Sequence, residues 1–359
     1  MASIKGSERQ TASSPGSNPA DPAWRASGLR YHALSWALRQ QFGCRVWKVS
    51  LDGGFGCPNA DGTISRGGCV FCNIRSFSPS RRVALQPVAA QLADGITRLR
   101  TRYNAQRFLA YFQPATNTYG SVRRLRTLYE EALQHPDVVG LVVGTRPDCV
   151  PDEILALLAE LACRAWVLVE LGLQTVHDRT LRWMNRGHDF ATFVDAVARC
   201  RRWRLPVGAH VILGLPGESR DDMRATASEV SRLGLHSVKL HNLYVARDTP
   251  LAEMFAQGQV SLLDLPDYAA VAADFLELLP PECVIDRLGA DAPAEYLVAP
   301  AWCADKHLVR AAVEAELIRR NTWQGRRHAE GCQGGGPGQG PIAPQAPHPP
   351  SAPDSELRV

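Results

Sequence analysis

Three runs in the middle of the chain, VVGLVVG (138–144), AWVLVELGL (165–173) and VGAHVIL (207–213), are apolar at nearly every position. A strand with one wet face alternates apolar and polar residues, so continuous apolar runs of this length read as strands buried on both faces. Amphipathic stretches separate them: 151–162, opened by a proline, and 189–203. The same alternation extends both ways. Upstream come a strand at 44–51, a helix at 87–103, a strand at 107–113 and a helix at 121–134 with Ser121 as its N-cap. Downstream come a helix at 220–233, a strand at 237–245 and a helix near 267–279. About six strand–helix units in a row predict a parallel sheet covered by helices, either an open doubly wound sheet or a (β/α) barrel.

In such folds chemistry gathers at the C-terminal ends of the strands. The unusual residues fall there: a loop at 51–73, Gln113, the segment TRPDC at 145–149, Gln174, and GLPGES at 214–219. One active face is expected. Past residue 280 a further strand at 283–288 and a helix at 306–321 extend the core. The expected organisation is a disordered tail over 1–28, a core over 29–280, an extension over 281–325 and a disordered Gly/Pro-rich tail over 326–359.

The 51–73 loop, LDGGFGCPNADGTISRGGCVFCN, carries Cys57, Cys69 and Cys72 in a C-x11-C-x2-C spacing. Thiolates are the ordinary ligands of iron–sulfur clusters, and three of them leave one coordination position without a protein ligand. A structural zinc site needs a fourth ligand, and no second C-x2-C pair is present, although Cys44 or a distant His could supply one. A zinc-stapled barrel acting as a binding module therefore stands beside the cluster reading. The ten cysteines are mostly scattered, the first residues lack an apolar run, and no stretch is long enough to span a membrane, so a reducing cytoplasmic setting is expected. A net charge of +4 permits a nucleic-acid partner without requiring one.

The three-cysteine loop after an N-terminal strand, with Phe71 directly before the last cysteine and βα repeats following, resembles the radical S-adenosylmethionine (SAM) superfamily. The long C-x11-C spacing, with YFQPATNTYG (111–120), GTRPDCVPDEIL (144–155), ELGLQTVHDRTLRWMNRGH (170–188), HVILGLPGE (210–218) and VKLHNLYVARDTPL (238–251), resembles a narrower branch related to the catalytic subunit of Elongator. The resemblance covers about residues 31–327. It implies a partial (β/α)6 TIM-like barrel with a C-terminal helical extension. It also implies a [4Fe–4S] cluster on Cys57, Cys69 and Cys72, with SAM on the fourth iron, cleaved reductively to methionine and a 5′-deoxyadenosyl radical. Phe71 would lie near the adenine, Gln174 and Arg186 would contact SAM, and Gly214 would let the backbone approach the adenine. Gln113 stands in the segment that takes the place of the amino-group-binding motif. Glu170, inside an apolar strand, is either a paired buried carboxylate or a cofactor-site group, and the need of a buried carboxylate for a partner favours the cofactor site. An electron donor of flavodoxin or ferredoxin type is implied, and an RNA substrate is permitted by analogy and by Arg-rich runs at 98–107, 123–126 and 199–204. A cluster protein that binds SAM without radical chemistry is a further alternative. The chain departs from the pattern at Gly144 and His210, where relatives carry acidic residues. Among the other thiols, Cys149 and Cys303 are the candidates for a catalytic role, and His177, His188 and His241 are expected on the site face.

Overall fold

A computed structural model describes residues 22–328. Seven parallel strands form one sheet in which spatial order follows chain order: β1 (Val46–Leu51), β2 (Arg107–Phe112), β3 (Val138–Thr145), β4 (Trp166–Gln174), β5 (Val207–Leu213), β6 (Ser237–Asn242) and β7 (Val284–Arg287). The β3 and β5 runs are almost wholly buried, and every residue of β4 is buried, as expected for strands covered on both faces. The crossover helices are α2 (Val88–Tyr103), α3 (Val122–Leu133), α4 (Asp152–Ala162), α5 (Phe190–Arg202), α6 (Arg220–Arg232) and α7 (Leu265–Leu278). Local chemistry sets their starts. Ser121 caps α3, Asp189 caps α5, and Ser219 and Asp222 form a reciprocal capping box on α6.

The sheet curls without closing. β1 and β7 are its two edges, yet Lys48 of β1 reaches Asp286 of β7 at 2.7 Å through the interior. The gap is bridged by the chain ahead of α1 (Leu34–Phe42): Ile285 donates its N–H to His32 O at 2.8 Å, and Ala33 pairs with Ile285 in parallel. α1 itself lies across the N-terminal mouth of the half-barrel. Leu34, Leu38 and Phe42 pack there against Leu109, Val142, Trp166 and Leu168 from β2, β3 and β4.

The C-terminal extension is built into this core. β7 completes the sheet, and α8 (Lys306–Arg319) packs on α7, with Arg320 pairing to the buried Asp274 at 2.6 Å. The expectation of a disordered N-terminal tail running to residue 28 needs correction. Residues 23–26 are helical, and Trp24 is buried with its Nε1 donating to Pro281 O at 3.0 Å. A large aromatic that can bury its ring and satisfy its N–H anchors a chain end. Similarly, the backbone N–H of Arg327 donates to Glu277 O, so the ordered chain passes residue 326. The remaining parts of both expected tails lie outside the described residues. Among the described residues no helix is long and apolar enough to cross a membrane.

Candidate functional site

The loop after β1 is held from its base. Asp52 is buried, accepts the Gly54 N–H at 2.8 Å and pairs with Arg81 Nε at 2.6 Å, while Arg81 Nη2 donates to Phe55 O at 2.7 Å. Beyond Cys57 the eleven-residue insertion folds on itself. Ile64 N donates to Pro58 O at 2.8 Å, Gly68 N to Asn59 O at 3.0 Å, and Asp61 and Arg66 form an antiparallel bridge. Asn59 is fully buried at its centre. Its Nδ2 donates to Asn185 O at 2.6 Å and reaches Cys69 Sγ at 3.6 Å. Asn185 answers through Nδ2, donating to Gly68 O at 2.8 Å and to Ser65 Oγ at 3.0 Å. A side chain at Gly187 would collide with Asn59, and φ at that residue is +74°. The insertion is thus a clasp that fixes the 185–187 turn against the cysteines.

That turn carries Arg186, which is 7 % exposed. Its Nη1 lies 3.6 Å from Cys69 Sγ and its Nη2 donates to Gly172 O of β4 at 2.8 Å. Its Nε is buried with no partner among the described residues. A second buried guanidinium, Arg146 at the end of β3, chelates Asp148 at 2.9 and 2.8 Å, leaves Nη1 unpartnered, and feels the charges of Cys57 and Cys69. Desolvation and the charges of Cys69 and Cys57 push the Cys72 thiol up to about 12, with Arg186 opposing, so the three thiols share one neighbourhood. Cys69 is buried and Cys57 half-buried, whereas Cys72 keeps an exposed face. Among the described residues no three His, Cys, Asp or Glu donors are grouped so that they could hold a single metal ion.

At the end of β4, Gln174 has φ +79°, beside a break in the β4–β5 register between Gly172 and Gln174. A non-glycine residue held in the left-handed region at a strand end is the kind of strain that collects at binding sites. A Cβ at Gly172 would crowd both Arg186 Nη2 and Gln174 Nε2, so the missing side chain is what lets these two groups meet over the end of β4. Two buried, incompletely satisfied guanidiniums beside three thiols suit an anionic cluster with a bound amino acid.

The other expected residues divide. Gly214 ends β5 with φ +82°, its N–H facing Met223 Sδ at 3.2 Å. Gln113 sits at the β2 rim and accepts from Ser50 Oγ at 2.8 Å. Phe71 packs against an apolar cluster of Val70, Met184, Ile212 and Leu251, which gives it a packing role whatever else it touches. Glu170 lies deeper, mid-strand, with a full set of partners: Lys48 at 2.8 Å, Lys239 at 3.1 Å, Tyr111 Oη at 2.7 Å and His210 Nε2 at 2.6 Å. Although burial opposes its charge, Lys239, Lys48 and His210 hold its pKa well below the usual carboxylate range. The paired reading of Glu170 therefore describes it. His177 is engaged with Asp222 O at 2.9 Å. Cys303 is fully buried and receives Asn242 Nδ2 at 2.8 Å, and burial pushes its thiol, like that of Cys149, up to about 12. Neither has the lowered pKa of a reactive cysteine. The Arg-rich runs are largely engaged within the chain: Arg107 pairs with Asp137 at 2.7 Å, Arg126 with Glu160 at 2.6 Å, and Arg124 donates to Gly53 O at 2.9 Å. Sequence reading missed Arg146 and the part played by Asn59. The TRPD segment at a strand end was the signal for the first, and nothing in the sequence marked the second.

Residues 56–230 match the family model of the radical SAM superfamily, and residues 235–319 match the radical SAM C-terminal domain. YtqA of Bacillus subtilis (strain 168) is 40 % identical over 297 residues, which span 83 % of this chain and 92 % of that protein. The chain belongs to the radical SAM superfamily. Radical SAM enzymes use a [4Fe–4S] cluster and SAM and need a reductant, and this protein is an enzyme of that family. The tRNA uridine(34) acetyltransferase of Dehalococcoides mccartyi (strain CBDB1) is 31 % identical over 184 residues, 50 % of this chain and 39 % of that one. In fold, the radical SAM half-barrel is similar to the archaeal Elp3 of Methanocaldococcus infernus (TM-score 0.61, 18 % identity), across 78 % of this chain and 64 % of that chain.

Proposed function

We propose that Cys57, Cys69 and Cys72 ligate three irons of the [4Fe–4S] cluster and that Gln174 and Arg186, which meet over Gly172, hold the methionyl end of SAM. When bound, the cluster and SAM supply a 5′-deoxyadenosyl radical for hydrogen abstraction. The observation that carries this reading is Arg186, which spans from Cys69 Sγ to Gly172 O with Nε unpartnered. A guanidinium fixed at two points, with its Nε–H among the donors left over, is organised in advance for an acceptor-only group such as a carboxylate. Arg146 and Arg186 together offset the negative charge of a thiolate-bound cluster. Gly214 would lie toward the adenine, and backbone carbonyls beside Gln113 would serve the amino group.

Anaerobically reconstituted protein should be brown and hold about four irons. Reduced with dithionite in the presence of SAM, it should form methionine and 5′-deoxyadenosine. Cys69→Ala should lose the iron, whereas Arg186→Ala should keep it and bind SAM more weakly. Colourless protein with one zinc, or a reduced cluster that yields no 5′-deoxyadenosine, sinks the reading. An RNA nucleoside is the substrate class we favour, supported by the match over 184 residues to tRNA uridine(34) acetyltransferases. Electrons would come from a flavodoxin or ferredoxin. Comparing modified nucleosides of transfer RNA from wild-type and deletion strains tests the substrate, and identical profiles refute it.

A further inference from the structure

The interior of the half-barrel holds a charge cluster that the cofactors do not account for. Lys48, Lys239 and Arg287 face Glu170 and Asp286. The two lysines are matched with the two carboxylates: Lys48 lies 2.8 Å from Glu170 and 2.7 Å from Asp286, and Lys239 lies 3.1 and 3.6 Å from the same pair. Arg287 is left over. Its one carboxylate partner among the described residues is Asp291, 3.8 Å away and 40 % exposed, too distant for a direct hydrogen bond.

Arg287 ends β7, and His241 stands near the end of β6 beside it. Arg287 Nη2 lies 3.4 Å from His241 Nδ1. A guanidinium can only donate, so Nδ1 accepts and the proton of the neutral imidazole resides on Nε2. Burial, and the charges of Arg287, His210 and Lys239, keep this histidine neutral. His241 Nε2 and Arg287 Nε are therefore two N–H donors on neighbouring side chains. Both are buried, and neither has a partner among the described residues. A buried unsatisfied donor costs about 1–3 kcal/mol, more when charged, so two side by side call for an acceptor. The Arg287 side chain remains 33 % exposed, which leaves it reachable from the mouth. Tyr244, three residues beyond His241, meets Ser76 Oγ at 2.9 Å through its hydroxyl, which ties this side of the mouth to the chain just past the cysteine loop.

We propose that Arg287 and His241 form a subsite for an anionic oxygen group of the substrate, a phosphate or a carboxylate, held in the barrel mouth on the side of β6 and β7. This rests on the radical SAM reading for its orientation toward the cofactors. The subsite offers a guanidinium and two unpartnered N–H donors, with Asp291 3.8 Å away at its exposed rim, and the donors complement a phosphate or carboxylate oxygen pair. The lysine–carboxylate pairs beneath it hold β1, β4, β6 and β7 together and fix the strand ends that carry it.

The test uses anaerobically reconstituted holoprotein titrated at constant ionic strength with inorganic phosphate, and in a second arm with acetate, read by calorimetry. Saturable binding is expected for at least one, and the stronger of the two identifies the group. A charge-assisted hydrogen bond is worth about 1.5–3 kcal/mol, so Arg287→Ala should weaken binding roughly 10- to 150-fold, and His241→Ala by a smaller factor. Should Arg287→Ala fail to fold, Arg287→Gln keeps most of the volume and removes the charge. Absence of binding to the wild-type protein overturns the proposal, as does equal affinity in the Arg287 variants. Displacement of phosphate by SAM also overturns it, because the subsite would then serve the cofactor's carboxylate. Iron content and 5′-deoxyadenosine formation on the same preparations separate the two readings: if those persist while anion binding is absent, only the subsite fails.

Discussion

Glu170 is the residue whose removal should cost the fold most. Its side chain is 2 % exposed and is shared by Lys48, Lys239, Tyr111 and His210, which come from four different strands. Glu170→Ala leaves Asp286 as the one interior carboxylate for two buried ammonium groups, and Lys239 approaches it only to 3.6 Å. Breaking a buried pair by removing one partner costs about 3–5 kcal/mol, chiefly because a charge is left uncompensated. For a chain of this size that corresponds to a fall in melting temperature of roughly 4–8 °C. The same argument predicts a rescue. Glu170→Met combined with Lys239→Met removes one charge of each sign and leaves Lys48 balanced by Asp286 at 2.7 Å. The double variant should be more stable than Glu170→Ala, since hydrophobic replacement of a complete buried pair is often neutral. The pH dependence has a definite sign. Because the folded-state pKa of Glu170 lies below the ordinary 4.5, its contribution is present above that value and disappears as pH falls through the folded pKa. Urea denaturation of the wild type and both variants measures all of this. A loss under about 1 kcal/mol in Glu170→Ala, or a double variant weaker than the single, would show that the lysines do not need the carboxylate.

Asn59→Ala should cost about 1–3 kcal/mol, because the Asn185 carbonyl and Cys69 lose a buried donor, and it should hasten iron loss to a chelator; unchanged stability and iron retention would refute the clasp. In iodoacetamide labelling near pH 8 the exposed Cys163 should react while Cys200 and Cys303, whose thiols burial pushes up to about 12, stay unmodified until denaturant is added; equal rates by mass spectrometry would contradict their burial. Burial lowers His236 to about 4, so the unfolded chain takes up a proton that the fold refuses as pH drops from 6.5 toward 4. About 2–3 kcal/mol of stability should be lost across that window, and His236→Gln should flatten the slope; a variant with the wild-type slope refutes the assignment.

The barrel was legible because parallel strands buried on both faces leave a continuous apolar signature, and VVGLVVG and AWVLVELGL carry it over almost their full lengths. The cysteines were legible because a loop with three thiols has few other uses. Gln174 and Arg186 could be placed only through resemblance, and they meet across Gly172. The insertion could not be read. Its fold depends on Asn59 and Asn185, residues 126 positions apart in the sequence, and a polar pair of that kind leaves no periodic trace. His241 was expected on the site face, but Arg287 and the pairing of the two were hidden, because a residue's missing partner is visible only once its neighbours are in place. The expected tail to residue 28 failed on one residue, Trp24, set in a polar, Gly- and Pro-rich context that conceals how much surface a single indole can bury.

α1 closes the floor of the half-barrel with Leu34, Leu38 and Phe42. The interior is therefore closed at that end, a well open toward the C-terminal ends of the strands, and whatever enters there leaves by the same end. A polymer cannot be threaded through such a well. A long substrate can offer only a group that swings out from its backbone, at the cost of leaving its own stacking behind. Product release and substrate entry must then take turns, so turnover is bounded by how fast the mouth clears as well as by the chemistry at its base.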